Sequence, residues 1–286
     1  MRQALLALVL VVACAPRDVR LGRRAMSVGR FDDAISHFQR AADASPEKGA
    51  RWLELARAHL MAEDPASARV AFARLEALRP EDPRPLVEIG FTHELERRYD
   101  LALQSYVRAR ELAPESAYPH RVLGTRLLRW GQAEDAIEPL ARSVALDPSH
   151  AETWKAVAMA RYHTGEVEAA EDDFRSGLSH HPDHVGLRLG LAALLVNAGR
   201  HEEALAAYDR VLRVRPRFAA AHAGRGILLH ELGRPDEAEA AFVRAVEVAR
   251  DPARYQARLV AYRRLRATSA NGPVDEDADA TAQPPP

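Results

Sequence analysis

Apolar side chains recur along most of the chain with the spacing of an amphipathic helix. Trp52, Leu55 and His59 stand at i, i+3 and i+7, which places them on one face of a helix. A second copy of this pattern begins at Trp154 and is broken by the charged Arg161. The pattern predicts helices that bury one face and expose the other.

The helical pattern itself repeats every 34 residues. The phased prolines are Pro46, Pro80, Pro114, Pro148, Pro182 and Pro216. An alanine stands twelve residues before each of them: Ala34, Ala68, Ala102, Ala136, Ala170 and Ala204, with Ala238 continuing the series. Four residues after each alanine stands a large apolar residue: Phe38, Phe72, Tyr106, Leu140, Phe174, Tyr208 and Phe242. A small residue precedes each alanine by twelve positions: Gly22, Ala56, Gly90, Gly124, Ala158, Ala192 and Gly226.

Each period predicts a hairpin of two helices. The small residues allow the two helices to approach closely, and the large apolar residue fills the space between them. The phased proline ends the second helix because it lacks an N–H and disfavours helix in the preceding residue. Glycines between the two helices suit a left-handed backbone that ends the first one. These are Gly29, Gly131, Gly165, Gly199 and Gly233. A single hairpin cannot bury its apolar face, so neighbouring hairpins are expected to stack.

The pattern of a small residue, alanine, an aromatic residue and proline over 34 residues resembles the tetratricopeptide repeat. The resemblance implies an all-α fold, a right-handed α-solenoid of seven helix-turn-helix units over residues 15–250. The expected units are about 15–48, 49–82, 83–116, 117–150, 151–184, 185–218 and 219–252. Residues 253–267 are expected to form an amphipathic capping helix. The acidic, proline-ended segment 268–286 is expected to be disordered.

The first fourteen residues predict export and a lipid anchor. Arg2 precedes an apolar run over 4–13, which is too short to span a bilayer and is typical of a signal peptide. The run ends at Cys14, the only cysteine, in a sequence that resembles the lipobox of bacterial lipoproteins. The resemblance implies a signal peptide 1–13 and acylation of Cys14. In enterobacterial lipoproteins, an Asp directly after the acylated cysteine retains the protein at the inner membrane. This chain has Ala15 there, so the resemblance implies the outer membrane, facing the periplasm. An ordinary secretory signal with a chance cysteine is the alternative.

Composition and motifs argue against several other functions. The 286 residues contain 40 Lys+Arg and 41 Asp+Glu, so long-range attraction to nucleic acid is not expected. One cysteine excludes an intramolecular disulfide framework. The sequence contains no glycine-rich phosphate loop, GxSxG or HExxH motif. It therefore predicts a protein that is not an enzyme, with no catalytic residues and no cofactor.

Two polar clusters are expected to be structural. His180, His181 and His184 could in principle bind a metal, but His184 shares its phase with His150 after a phased proline. They are therefore interpreted as residues of a turn between units, and no metal site is predicted. The carboxylate pairs on second helices, including Asp172-Asp173, are interpreted as parts of a solvated face.

The tetratricopeptide resemblance places partner binding on the first helices, which line the concave groove in this family. We transferred the groove-lining positions of the family to each repeat of this chain. The strongest candidates for partner binding are then Arg57, Phe91, Arg121, Thr125, Arg129, Lys155, Met159, Tyr162 and Asn197. This mixture of apolar and cationic side chains suits an extended peptide or a helix that carries carboxylates. Solvated side chains with no ligand are the alternative.

The sequence therefore predicts a lipid-anchored scaffold or assembly factor in the bacterial envelope that binds a protein partner. A more specific resemblance is to the pilotin-like lipoproteins of type IV pilus systems, which assist outer-membrane secretins. One alternative is an adaptor for peptidoglycan-modifying enzymes. Another is an accessory subunit of an envelope enzyme.

Overall fold

The computed structural model describes residues 17–270, and every regular element among them is an α-helix. The helices are α1 (17–27), α2 (Phe31–Ala44), α3 (Gly49–Met61), α4 (Pro65–Leu78), α5 (Arg84–Leu95), α6 (Tyr99–Leu112), α7 (Ala117–Arg129), α8 (Ala133–Leu146), α9 (Ala151–Thr164), α10 (Val167–His180), α11 (Val185–Asn197), α12 (His201–Val214), α13 (Ala219–Glu231), α14 (Pro235–Val248) and α15 (Ala253–Ala270). Across these helices, none is both long enough and apolar enough to span a bilayer. Cys14 and the segment 271–286 lie outside the described residues.

The chain forms two compact units, Met1–Pro148 and Ser149–Pro286. Their described parts are called here the N-unit (17–148) and the C-unit (149–270). Within each unit, consecutive helices pair as hairpins, and each second helix packs against the first helix of the next hairpin. First helices also contact one another directly, α5 with α7 and α9 with α11. The all-α hairpin array expected from the 34-residue pattern is confirmed.

The phased residues form the hairpin cores. All seven phased alanines are 0% exposed, and the large apolar residue four positions later is buried in every hairpin except the sixth, where Tyr208 is half-buried. The close approach of the two helices depends on the small residue opposite. A Cβ added at Gly90 would lie 2.5 Å from the ring of Tyr106, which leaves no room for a side chain there.

The turn between the two helices of each hairpin contains a residue with positive φ. The five predicted glycines adopt φ between 70° and 88°, as expected. The same phase holds Glu63 and Arg97 in the second and third hairpins, at φ 59° and 58°. The backbone therefore turns identically whether or not the sequence provides a glycine, and these two L-residues carry the strain.

The turn between hairpins is closed by a recurrent hydrogen bond. At four of the phased prolines named below, the residue six positions later donates a side-chain N–H to the carbonyl oxygen of the proline, whereas Leu86, six positions after Pro80, has no such donor. The pairs are Trp52 with Pro46 (2.8 Å), His120 with Pro114 (2.9 Å), His222 with Pro216 (2.9 Å) and Arg188 with Pro182. Three side-chain types make the same bond because each carries an N–H that can reach this carbonyl, the indole and imidazole through a rigid ring and the guanidinium through a longer, flexible side chain.

The expectation that Asp173 lies on a solvated face is wrong. Asp173 is only 9% exposed, and its carboxylate accepts a hydrogen bond from Arg161 Nη1 at 2.9 Å. Burial raises the pKa of Asp173 to about 6, although the Arg161 charge opposes this shift. Arg161, which breaks the apolar pattern of α9, is thus explained by its buried partner on α10.

Candidate peptide-binding surfaces

The first helices of the N-unit present most of the predicted cationic residues. Arg57 on α3 and Arg129 at the end of α7 are exposed, and neither forms an ion pair with a described residue. Arg121 is half-buried, and its guanidinium lies 5.6 Å from the centre of the Tyr118 ring. Thr125 donates its hydroxyl to the carbonyl oxygen of Arg121 at 2.6 Å, so this donor is already used within α7. We call the exposed face formed by these residues, Glu88 and Phe91 the N-unit surface.

Phe91 belongs to a network that joins α5 to α7. The guanidinium of Arg126 lies 5.8 Å from the centre of the Phe91 ring and forms a 3.3 Å ion pair with Glu94. From below, the buried hydroxyl of Tyr106 donates to the same carboxylate at 3.0 Å. Burial and the nearby Glu94 raise the pKa of Tyr106 above its usual range. Much of the charge at this position is therefore already neutralised within the N-unit.

Glu88 is the exception on the N-unit surface. It is half-buried and forms neither a hydrogen bond nor an ion pair with any residue of 17–270. Burial raises the pKa of Glu88, while the more distant charges of Arg57 and Arg126 oppose the shift. Glu88 gives this surface a carboxylate among its arginines, a feature that the sequence analysis did not identify.

The first helices of the C-unit form an apolar pocket. Three predicted residues converge there: Met159, which is 39% exposed, and Tyr162 with Asn197, whose side chains hydrogen bond at 2.5 Å. The pocket has a volume of about 210 Å³. It is lined by Met159, Tyr162, His163, Phe174, Gly190, Ala193, Leu194 and Asn197. We call it the Phe174 pocket.

Gly190 makes this pocket possible. The residue two positions before the phased small residue faces the preceding second helix, and at Gly190 an added Cβ would lie 2.3 Å from the Phe174 ring. In the N-unit the same phase holds Arg20, Glu54, Glu88 and Val122, whereas the C-unit has Ala156, Gly190 and Gly224. The absence of a side chain at 190 lets the Phe174 ring, which is 3% exposed, pack directly against α11 at the wall of the pocket. The spacing of these glycines was visible in the sequence but was not linked to a pocket.

Lys155 is less available than predicted. Its ammonium group forms an ion pair with Glu152 on the preceding turn of α9, and Glu152 also lies 3.2 Å from His184 Nε2. His184 Nδ1 accepts the backbone N–H of Leu187 at 3.1 Å and thereby caps α11. Within residues 17–270, no group of three or more His, Cys, Asp or Glu side chains is placed to hold a metal ion.

Sequence comparison assigns this architecture to a family. One tetratricopeptide repeat model matches residues 121–184 and 189–255, and a second matches residues 25–86. Together these matches cover about two thirds of the chain. The chain belongs to the tetratricopeptide repeat family. Proteins of this family are in general scaffolds for protein–protein interaction, and neither match indicates a catalytic family.

Solved structures with the same fold come from several proteins. MamA is 26% identical over 56% of this chain and 94% of its own, with a TM-score of 0.53. YrrB, whose structure is described as a tetratricopeptide repeat protein with an unusual peptide-binding site, is 18% identical over 68% of this chain and 97% of its own, with a TM-score of 0.52. The C-terminal part of a tetratricopeptide repeat protein from Cytophaga hutchinsonii is 13% identical over 82% and 97%, with a TM-score of 0.66. The last two likenesses concern the fold alone. No curated protein matches the sequence.

Proposed function

We propose that this tetratricopeptide repeat protein is a non-enzymatic adaptor that holds a segment of a partner protein on its first helices. The observation that carries the proposal is the Phe174 pocket, an opening of about 210 Å³ with an almost entirely apolar lining. It accepts one large apolar side chain of the partner segment. Burial of such a side chain contributes about 1.5–3 kcal/mol.

Polar groups around the pocket orient the segment. His163, Tyr162 and Asn197 stand at the pocket and can exchange hydrogen bonds with the backbone of an extended peptide. On the N-unit surface, Arg57, Arg121 and Arg129 suit carboxylates of the same partner or of another one. The peptide-binding site named for YrrB supports the use of this fold for peptide capture.

The cellular setting is proposed from the N-terminal sequence. Residues 1–13 act as a signal peptide, and acylation of Cys14 tethers the array at the bacterial envelope, on the periplasmic face of the outer membrane. In that place the adaptor assembles envelope machinery, with type IV pilus or secretin assembly as the leading case. Capture of a peptidoglycan-modifying enzyme as the partner would favour the alternative that the protein is an adaptor for such enzymes. A stable complex with another envelope enzyme would favour the alternative that it is an accessory subunit.

The pocket is tested with two matched alanines on neighbouring helices. Ala193 on α11 lines the pocket, whereas Ala206 on α12 is exposed on a second helix. A photo-crosslinking residue at 193 is expected to capture the partner in cells, and one at 206 is not. With the captured partner in hand, Ala193→Leu should weaken binding by about tenfold or more, because it fills the pocket. Equal affinity for Ala193→Leu and Ala206→Leu would refute the pocket as the binding site.

The anchor is tested separately. Cys14→Ser should leave the helical content unchanged and move the protein from the membrane fraction to the soluble fraction of the envelope. Unchanged membrane partition of Cys14→Ser would refute the lipid anchor without affecting the peptide-binding proposal.

A further inference from the structure

Charge is unevenly distributed at the end of the chain. Residues 205–268 contain thirteen arginines against seven acidic residues, whereas residues 271–286 contain four acidic residues and no basic one. The acidic residues of this segment are Asp275, Glu276, Asp277 and Asp279. Two oppositely charged stretches are therefore adjacent in sequence, with the boundary at the end of α15.

Some arginines of α15 are neutralised within the C-unit. Arg263 and Arg266 both pair with Glu239 on α14, at 2.7 and 2.8 Å. Leu259 and Tyr262 are buried on the same side, and the Tyr262 hydroxyl donates to the carbonyl oxygen of Pro235 at 3.0 Å. These contacts fix which face of α15 packs on α14.

Other arginines of α15 lie off this packed face. Arg254, Arg258 and Arg264 are exposed and form no ion pair or hydrogen bond with a described residue. Val260 and Leu265 are also exposed between them, at 38% and 49%. We call these five residues the α15 arginine surface. A cationic surface with apolar side chains between its charges is complementary to an acidic segment of chain.

The cationic region continues beyond the start of α15. Arg217, Arg250 and Arg254 surround a cleft of about 410 Å³ whose lining includes the aromatic rings of Phe218 and Tyr255. The acidic residue in this lining is Asp251, which already accepts the backbone N–H of Ala253 at 3.2 Å. None of these three arginines forms an ion pair with Asp251 or with another described residue.

We propose that the acidic segment 271–286 binds back onto the α15 arginine surface of the same chain. Asp279, the last carboxylate, lies nine residues beyond Ala270, and nine extended residues span about 30 Å. Arg254 lies about 24 Å back along α15 from Ala270, so the carboxylates can reach Arg264, Arg258 and Arg254. Each exposed ion pair contributes little, about 0–1 kcal/mol. The covalent link removes the cost of bringing two molecules together, so several weak pairs acting together bias the segment toward the bound state. This proposal is independent of the Phe174 pocket.

The test uses the full chain with Cys14→Ser and a nitroxide on Ala280→Cys. Paramagnetic broadening of backbone amides of α15 around Arg258 is expected at low salt and should be lost in high salt. It should also be lost in the variant Arg254→Glu/Arg258→Glu/Arg264→Glu. Adding Asp275→Arg, Glu276→Arg and Asp277→Arg to that variant should restore it, because the charges are then exchanged rather than removed.

Three results would overturn the proposal. The first is an absence of broadening on α15 in the low-salt sample. The second is broadening that survives both charge reversal and salt, since this would mean random proximity to the end of the helix. The third is broadening that appears when labelled and isotope-enriched chains are mixed, since the occupant would then be a second copy. The amide spectrum of each variant shows whether α15 is still folded.

Discussion

The N-unit and the C-unit share one backbone pattern but present different first-helix surfaces. On the N-unit surface, arginines and glutamates predominate, and the network of Glu94, Arg126 and Tyr106 neutralises part of its charge internally. In the C-unit, Met159 and Tyr162 surround an open apolar pocket. The hairpin core is the same in both, so the residues that build the fold are separate from those that set the surface.

One position explains much of this difference. Two residues before the phased small residue, the N-unit has Arg20, Glu54, Glu88 and Val122, and the C-unit has Ala156, Gly190 and Gly224. Where this position is glycine, the large apolar residue of the preceding hairpin packs directly against the backbone of the first helix, as Phe174 does against Gly190. A repeat fold can therefore change its ligand chemistry through one position in each repeat while its packing stays constant.

Gly190→Ala is the strongest test of this explanation. The added Cβ would lie 2.3 Å from the ring of Phe174, which is 3% exposed and cannot move without disturbing the core. We expect a loss of about 3 kcal/mol in the stability of the C-unit, at the upper end of overpacking costs. Hydrogen exchange of the α11 amides measures this loss.

Gly186→Ala is the matched control on the same helix. Its added Cβ would meet the ring of His184 at 3.1 Å, a side chain that can shift, and alanine raises helix propensity by about 1 kcal/mol. The control should therefore be close to neutral. If the α11 amides exchange at the same rate in both variants, the close contact with Phe174 is not the reason that position 190 requires glycine.

Two tyrosines of the same phase compare the units more directly. Tyr106 donates to Glu94, whereas Tyr208 has Val196 in the corresponding position and makes no hydrogen bond with a described residue. Tyr106→Phe should cost about 2 kcal/mol, because a hydrogen bond to a charged group is lost. Tyr208→Phe should change stability by less than about 0.5 kcal/mol. Thermal unfolding of the two variants measures the difference, and equal shifts would contradict the network described for the N-unit.

The buried pair of Arg161 and Asp173 predicts a pH effect that the preceding hairpin lacks, since that hairpin has Leu127 and Pro139 in these phases. Between pH 3.8 and about 6, native Asp173 holds a proton that the unfolded chain has released. Stability therefore falls as pH rises through this range. Relative to Asp173→Asn, the wild-type protein should lose about 1.5 kcal/mol between pH 5 and pH 7.

Urea unfolding of both proteins at pH 5 and pH 7 measures this effect. The variant is its own control, because an amide does not titrate and all other groups are the same. An identical pH dependence of wild type and Asp173→Asn would show that Asp173 is ionised in the native protein throughout this range.

The fold was predictable because its determinants repeat. Seven alanines and six prolines share one phase, and the alanine is fully buried in every hairpin. Asp173 was misinterpreted because adjacent carboxylates on a helix resemble a solvated face until the position of Arg161 on the neighbouring helix is known. The burial of a charge depends on its partner, and the partner is twelve residues away.

The candidate surfaces were predictable only in part. The family resemblance located Met159, Tyr162 and Asn197, which do meet. It could not show that Thr125 and Lys155 already use their polar groups within their own helices. Gly190 was not predicted to matter, because a glycine in a helix has no side chain that suggests a role. Its contribution is visible only in the structure, where it packs against Phe174 and lines the pocket.

The turns offer the smallest contrast between the units. At the positive-φ position, two of the four N-unit hairpins have L-residues, Glu63 and Arg97, both exposed, while all three hairpins of the C-unit have glycine. An L-residue in the left-handed conformation costs about 1–2 kcal/mol. Glycine avoids this cost, but its larger loss of conformational entropy on folding costs about 0.5–1 kcal/mol. The difference predicts that Glu63→Gly and Arg97→Gly each stabilise the N-unit by about 0.5–1 kcal/mol. Gly165→Ala should destabilise the C-unit by a similar amount, and this cost is purely conformational because an added Cβ at 165 meets nothing within 4 Å. Melting temperatures should move in opposite directions for the two kinds of variant. A lower melting temperature for Glu63→Gly would mean that its side chain contributes more than its backbone strain costs.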